Sequence, residues 1–196
     1  MKEKFDTIRN LLSKYSVYGR KETNNGGILI GHPSYLKEDW WIVELFHNLS
    51  DNDIDVIENR CATRLPASYK YFLRNITNGL VFQFGTFYLY GYVSEYNRDI
   101  NCRQPFDIFT PNVEERGLML NIKHNMFIIG GYSSNGAKIY IDTDTNNVYL
   151  CSEDDITPIY SWSCFEDMLV SELTRLYTFY TEDGRRIDKT KSILPI

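Results

Sequence analysis

The stretch from Leu49 to Gly79 constrains the fold most, because its residue types spell a helix, a break and a second helix. Leu49, Ser50, Asp53 and Ile54 occupy the N′, N-cap, N3 and N4 positions of a helix start. There a hydroxyl and a carboxylate satisfy first-turn N–H groups, and Leu49 staples onto Ile54. Ile54, Ile57 and Cys61 continue as one apolar stripe. Leu65-Pro66 restarts the chain, with proline at a first helical position where it loses no hydrogen bond. Tyr69, Phe72, Leu73 and Ile76 then supply the second buried face, and Asn78-Gly79 ends it.

Around this unit the hydrophobic period changes from helical to strand-like and back. Phe5, Ile8, Leu11, Leu12 and Tyr15 share one face of an amphipathic helix over 3–16. Between 17 and 48 lies an insert in which Ile28-Leu29-Ile30 reads as a short strand and Trp40 to Phe46 as a helix. After Gly79, Val81 to Tyr90 is rich in aromatic and β-branched residues that suit strands interrupted at Gly85. Loops follow from Ser94 to Lys123. Three strands, Met126–Ile129, Ala137–Ile141 and Val148–Cys151, are joined by turns at Asn135-Gly136 and Asn146-Asn147, an antiparallel meander. Ser163 and Glu166 have capping-box spacing before a closing helix with Phe165, Leu169, Leu173 and Leu176. The pattern predicts an α+β fold, an antiparallel-rich sheet over 80–162 with helices near 3–16, 50–61, 66–76 and 163–177 packed against it. One domain over 1–180 is expected, with a loosely held tail over 181–196.

Read as Ile57-Glu58, Leu65-Pro66-Ala67-Ser68-Tyr69-Lys70-Tyr71-Phe72-Leu73 and Thr77-Asn78-Gly79, the helical unit resembles the signature of the SUKH superfamily. That pattern is a helix with an I-x-x-x-E-like stripe, an L-P-x-x-Y-x-x-F-L helix and an N-G turn into the sheet. Two departures stand out: Glu58 follows Ile57 at once, and Ala62-Thr63-Arg64 replaces the usual Leu-Gly before Leu-Pro. Leu89-Tyr90-Gly91, Phe127-Ile128-Ile129-Gly130, Ile139-Tyr140-Ile141-Asp142, Val148-Tyr149-Leu150 and Trp162-x-x-Phe165-x-x-Met168-Leu169 extend the resemblance over about 50–170. A SUKH-like arrangement of the α+β elements is therefore expected, preceded by a helix and insert over 1–49.

Charge and cysteine usage bound the partners. Twenty-one Lys and Arg against 26 acidic residues leave a net charge of −5, which disfavours direct binding to nucleic acid and favours a basic partner. Cys61, Cys102, Cys151 and Cys164 are widely spaced with no C-x-x-C pair, so neither a zinc site nor a redox motif is written locally. Acidic residues early in the N-terminal segment and the lack of a long apolar run point to a cytoplasmic protein that neither enters a membrane nor carries a secretory signal. In that setting the sequons Asn48-Leu49-Ser50 and Asn75-Ile76-Thr77 are coincidences within helical segments.

Two loops imitate ligand sites and each fails at the residue its chemistry most needs. Gly131 to Lys138 resembles a phosphate loop, but Ala137 separates Gly136 from Lys138 and the flanks are strands. Asp142, Asp144, Asn146 and Glu153 fall at positions one, three, five and twelve of a calcium loop, yet the obligatory glycine at six is Asn147. His32, His47 and His124 share no metal-ligand spacing, and no nucleophile or H-E-x-x-H motif is present, so no catalytic residue, metal or cofactor is expected. Two surfaces stand out as partner-binding candidates. One is the run of carboxylates Asp142, Asp144, Glu153, Asp154 and Asp155, with no basic residue between 142 and 155; the other is the aromatic group Tyr88, Tyr90, Tyr92 and Tyr96 with Trp40-Trp41.

The resemblance implies a function. Bacterial SUKH proteins are mostly immunity proteins of polymorphic toxin systems, which bind and block a cognate toxin, often a nuclease, whereas fungal members are associated with control of cell-wall synthesis. The expectation is an immunity protein that binds a basic protein toxin without chemistry of its own, with an intracellular scaffold or regulator as the alternative.

Overall fold

The Leu49–Gly79 unit folds as its residues dictate. In the computed structural model, which describes residues 2–99 and 101–196, α2 runs Asp51–Arg60 and α3 Ala67–Asn75. The Ser50 hydroxyl accepts the Asp53 N–H at 3.3 Å while the Asp53 carboxylate accepts the Ser50 N–H at 2.9 Å, a reciprocal capping box. Pro66 stands one residue earlier than expected, as N-cap of α3 rather than at its first helical position. The excursion is closed at its base by Thr77, whose Oγ1 accepts the Phe46 N–H at 2.7 Å. Asn78 then clamps the backbone of Tyr92, donating to its carbonyl at 2.8 Å and accepting its N–H at 2.7 Å. Gly79 is required twice over: its φ is +89°, and a Cβ there would lie 2.9 Å from both the Leu89 carbonyl and the Pro105 ring.

The two helices sit between adjacent strands of a sheet that starts far earlier than residue 80. Among the described residues nine strands pair strictly in chain order, each antiparallel to the next: β1 Arg20–Glu22, β2 Ile28–Ile30, β3 Val43–Leu45, β4 Leu80–Phe82, β5 Phe87–Leu89, β6 Met126–Tyr132, β7 Lys138–Asp142, β8 Val148–Cys151 and β9 Tyr160–Trp162. The helix expected around Trp40 to Phe46 is β3 instead, paired to β2 on one side and β4 on the other. Short apolar runs satisfy either period, and here two waiting strand edges decide it, since each backbone N–H and C=O gains a partner. One register row, Ile30, Val43, Phe82, Phe87 and Tyr132, points to the helical side and is buried throughout.

Four helices cover that side. α1 (Lys2–Leu12), followed by a single 3-10 turn at Lys14–Tyr18, packs Phe5, Ile8 and Leu12 against α4 (Phe165–Tyr177). Lys4 pairs with Asp167 at 2.6 Å and the Tyr177 hydroxyl donates to the Leu11 carbonyl at 2.5 Å. The Ser163–Glu166 capping box does not form. Cys164 is the N-cap of α4, the Ser163 hydroxyl donates to Asp167 at 2.6 Å, and Glu166 is buried. Leu65, Tyr69, Phe72, Leu73, Ile139, Trp162, Phe165 and Leu169 join the main core.

Ile128, equally buried, belongs to a second core on the opposite face. Alternation along β6 puts Ile128 opposite Phe127, so it faces Met119, Tyr140, Cys151 and Ile156 under the segment that connects β5 to β6, and a bulge between Ile128 and Gly130 then shifts the phase so that Tyr132 returns to the main core. That segment carries the π-turn Thr110–Glu114 and the 3-10 turn Arg116–Leu118. Asn112, buried beside the bulge, accepts the Ile128 N–H at 2.8 Å and donates to the Ile128 carbonyl at 2.7 Å. Those two bonds satisfy a buried N–H and carbonyl of β6 from the side of the β5–β6 connection.

Candidate partner-binding surfaces

The β7–β8 hairpin divides the carboxylate run into two separate groups. Asp142 and Asp144 lie at the turn, beyond the Ile141–Val148 pair, whereas Glu153, Asp154 and Asp155 follow Cys151, which pairs with Lys138 at the other end of the hairpin. Three residues of strand, roughly 10 Å at the usual rise, lie between the two ends. Two of the five carboxylates are also committed locally. Asp142 accepts from the N–H groups of Asp144 at 2.9 Å and Thr145 at 3.2 Å and from Asn125 at 3.0 Å. Asp155 accepts from Asn121 at 2.9 Å and from the Thr157 N–H and hydroxyl at 2.9 and 2.7 Å, and these bonds, the one from Asn121 foremost, hold its carboxyl below the ordinary range. Asp144, Glu153 and Asp154 are exposed and free of ion pairs among the described residues, with Lys138 beside the second group donating to the Glu153 carbonyl.

The aromatic candidates are largely spent on packing. Tyr88 meets Tyr90 edge-on at 5.2 Å and Phe106 at 5.0 Å, and Tyr92 meets Phe109 at 5.8 Å. Trp40 and Trp41 part company: Trp40 packs on Phe84 at 5.7 Å and Trp41 on His32 at 5.0 Å. Tyr96, 74% exposed, and Trp40, 52% exposed, are the members of the group left open to a partner. Tyr88, Tyr90 and Tyr92 stand at alternate positions and share one side of the chain, but all three are half-buried there.

A third surface escaped the sequence reading. The segment after α4, expected to be loose, is tied down by Arg175, whose guanidinium donates to the Ile193 carbonyl at 2.6 Å and to buried Glu172 at 2.5 Å. Tyr132 donates to the same carboxylate, and Ile193 is inserted into the main core. Further along, the Tyr35 hydroxyl donates to the Asp183 carbonyl at 2.9 Å and that of Tyr180 to Thr86 at 3.1 Å. Between this segment and the β4–β5 turn lies an open groove of about 950 Å³. Gln83, Phe84 and Gly85 form its turn with φ of +49°, +58° and +86°, and Arg185, Arg186, Lys189 and Lys191 line it. The signal for it was present as Arg185-Arg186 and Lys189-x-Lys191, but nothing local told that the segment folds back on the domain.

The thiols are poor nucleophiles. Burial pushes Cys61 up to about 11 and Cys151 to about 12, so both are protonated at neutral pH. Among the described residues no group of three or more His, Cys, Asp or Glu is placed to hold a metal ion, and no helix is long and apolar enough to cross a membrane.

Glu58 explains how the corner between α2 and α3 tolerates Ala62-Thr63-Arg64. Its buried carboxylate accepts the Leu65 N–H at 2.7 Å, Arg64 at 2.7 Å and Lys70 at 3.0 Å, so the departure from the family pattern brings its own cation. No curated protein matches the chain. The model of the SMI1/KNR4 family (SUKH-1) does match, over residues 48–171, from just before the Ser50 cap through β4–β9 and into α4. The chain therefore belongs to the SMI1/KNR4 family, SUKH-1.

Proposed function

We propose that this protein is an immunity protein of a polymorphic toxin system, binding and neutralising a cognate toxin by occlusion in the cytoplasm. Membership of the SUKH-1 family over 48–171 is the observation that carries the reading. The acidic balance supports a basic protein partner, such as a nuclease whose cleft must itself attract phosphates. Exposed Asp144, Glu153 and Asp154 supply steering charge at both ends of the β7–β8 hairpin. The fold supplies the rigidity: a nine-strand ladder with cores on both faces has little to reorganise on binding, which limits the entropic cost of association. No metal, cofactor or reaction of its own is invoked.

Co-expression with the toxic C-terminal domain encoded by a neighbouring gene is the test. Restored growth and a stoichiometric complex on gel filtration are expected; continued toxicity with both proteins soluble would refute the reading. One feature favours a second reading, an intracellular scaffold or regulator. The free carboxylates and the cation-lined groove are surfaces of opposite charge, as suits a protein that bridges two partners. Recovery of several unrelated partners from the native cell would support the scaffold over the immunity protein.

A further inference from the structure

We propose that the groove between the β4–β5 turn and the C-terminal segment is a docking site for an acidic peptide segment, a surface distinct from the carboxylates assigned to the toxin and the one on which the scaffold reading draws. Its charge is the first reason. In a chain of net charge −5, four cations line the groove and no carboxylate side chain does. Lys189 and Lys191 make no ion pair among the described residues, and only Arg185 is paired, to Asp183 at 3.0 Å. An anionic ligand therefore gains attraction here that the rest of the surface denies it.

Apolar surface is the second reason. Ile193 and Leu194 add an aliphatic patch to the groove's lining, which a ligand made only of charge would leave unused. A peptide with carboxylates and an intervening apolar side chain matches both features. Nucleic acid fits less well, because the ring faces on which bases would stack are taken. Arg185 lies 4.1 Å from the Tyr35 ring, Arg186 lies 5.3 Å from that of Tyr180, and Trp40 covers Phe84.

The test uses the full chain and three fluorescent probes at low ionic strength: a ten-residue Glu/Asp-rich peptide with one central Phe, its Lys-rich counterpart, and a single-stranded oligonucleotide of equal charge. Saturable anisotropy is expected with the acidic peptide alone. The double variant Lys189→Glu/Lys191→Glu should weaken binding about tenfold, since each rim charge is worth little alone. The effect should shrink as salt is added. Hydrogen exchange on the wild-type protein gives a second readout that does not depend on the variant folding, with protection expected at 184–194 when peptide is bound. Absence of saturable binding, equal affinity for the oligonucleotide, or protection confined to another surface would each overturn the proposal.

Discussion

The Glu58 carboxylate accepts the backbone N–H of Leu65 at 2.7 Å, so a side chain near the end of α2 positions the first residue of the Leu-Pro turn that starts α3. Because Glu58 is 4% exposed, its charge is tolerable only with the Lys70 and Arg64 cations beside it. The family's helix-break-helix motif is thus one electrostatic unit as well as two apolar faces.

Replacing Glu58 by alanine is expected to cost about 2 to 4 kcal/mol, because the Leu65 N–H and the Lys70 ammonium lose their buried partner. Urea unfolding measures it. Burial alone would raise this carboxyl, but Lys70, the Leu65 N–H and Arg64 outweigh it and hold it below its ordinary 4.5. The stabilisation is therefore complete above 4.5 and is lost as pH falls through the lower folded-state value. Asp167, held at about 2 chiefly by Lys4 and then Ser163, releases its own contribution, reduced by solvent screening of this exposed pair, between 3.8 and about 2. Glu58→Gln should flatten the first part of the acid limb, and an unchanged limb would refute the assignment.

Arg175→Ala is expected to cost about 3 kcal/mol and to free the C-terminal segment, since it strands the fully buried Glu172 and removes the donor to the Ile193 carbonyl. Exchange of the Ile193 and Leu194 amides should accelerate well before global unfolding. The double variant Glu172→Gln/Arg175→Ala should recover part of the lost stability, because the unpaired charge is then gone. A double variant no more stable than the single one would show that packing, not charge, dominates.

Phe72 and Phe165 meet edge to face at 5.1 Å, both buried, and join α3 to α4. Truncating either to alanine should lower stability by roughly 3 to 5 kcal/mol. The pair should be non-additive, since each ring lines the other's cavity. Thermal melts that match the wild type would contradict the packing.

Among the acidic candidates, Asp144→Lys and Asp154→Lys separate the two ends of the β7–β8 hairpin cleanly, because neither side chain supports a turn. Each should melt within about 0.5 kcal/mol of the wild type. If one end faces a basic toxin, its variant should slow association at low salt while the other leaves it unchanged. Asp155→Lys should instead lose stability, since it removes the bonds to Asn121 and Thr157. Stopped-flow association with the cognate toxin distinguishes the two ends.

What the sequence determined by itself is the local grammar. The Ser50 box, the Leu-Pro start, the stripes of α1 and α4 and the meander from β6 to β8 all follow from caps, turns and periods that act within a few residues. Tertiary structure decided the rest, for reasons that lie outside any window of sequence. Val43-Glu44-Leu45 is a strand because β2 and β4 offer edges on both sides, and Ile128 is buried in a second core because Met119 and Ile156 are brought over that face of the sheet. Arg175, far from the tail in sequence, holds Ile193 and so builds the cation-lined groove. A strand's length likewise separates Asp142 and Asp144 from Glu153–Asp155, because Coulomb energy depends on distance in space, which sequence order does not give.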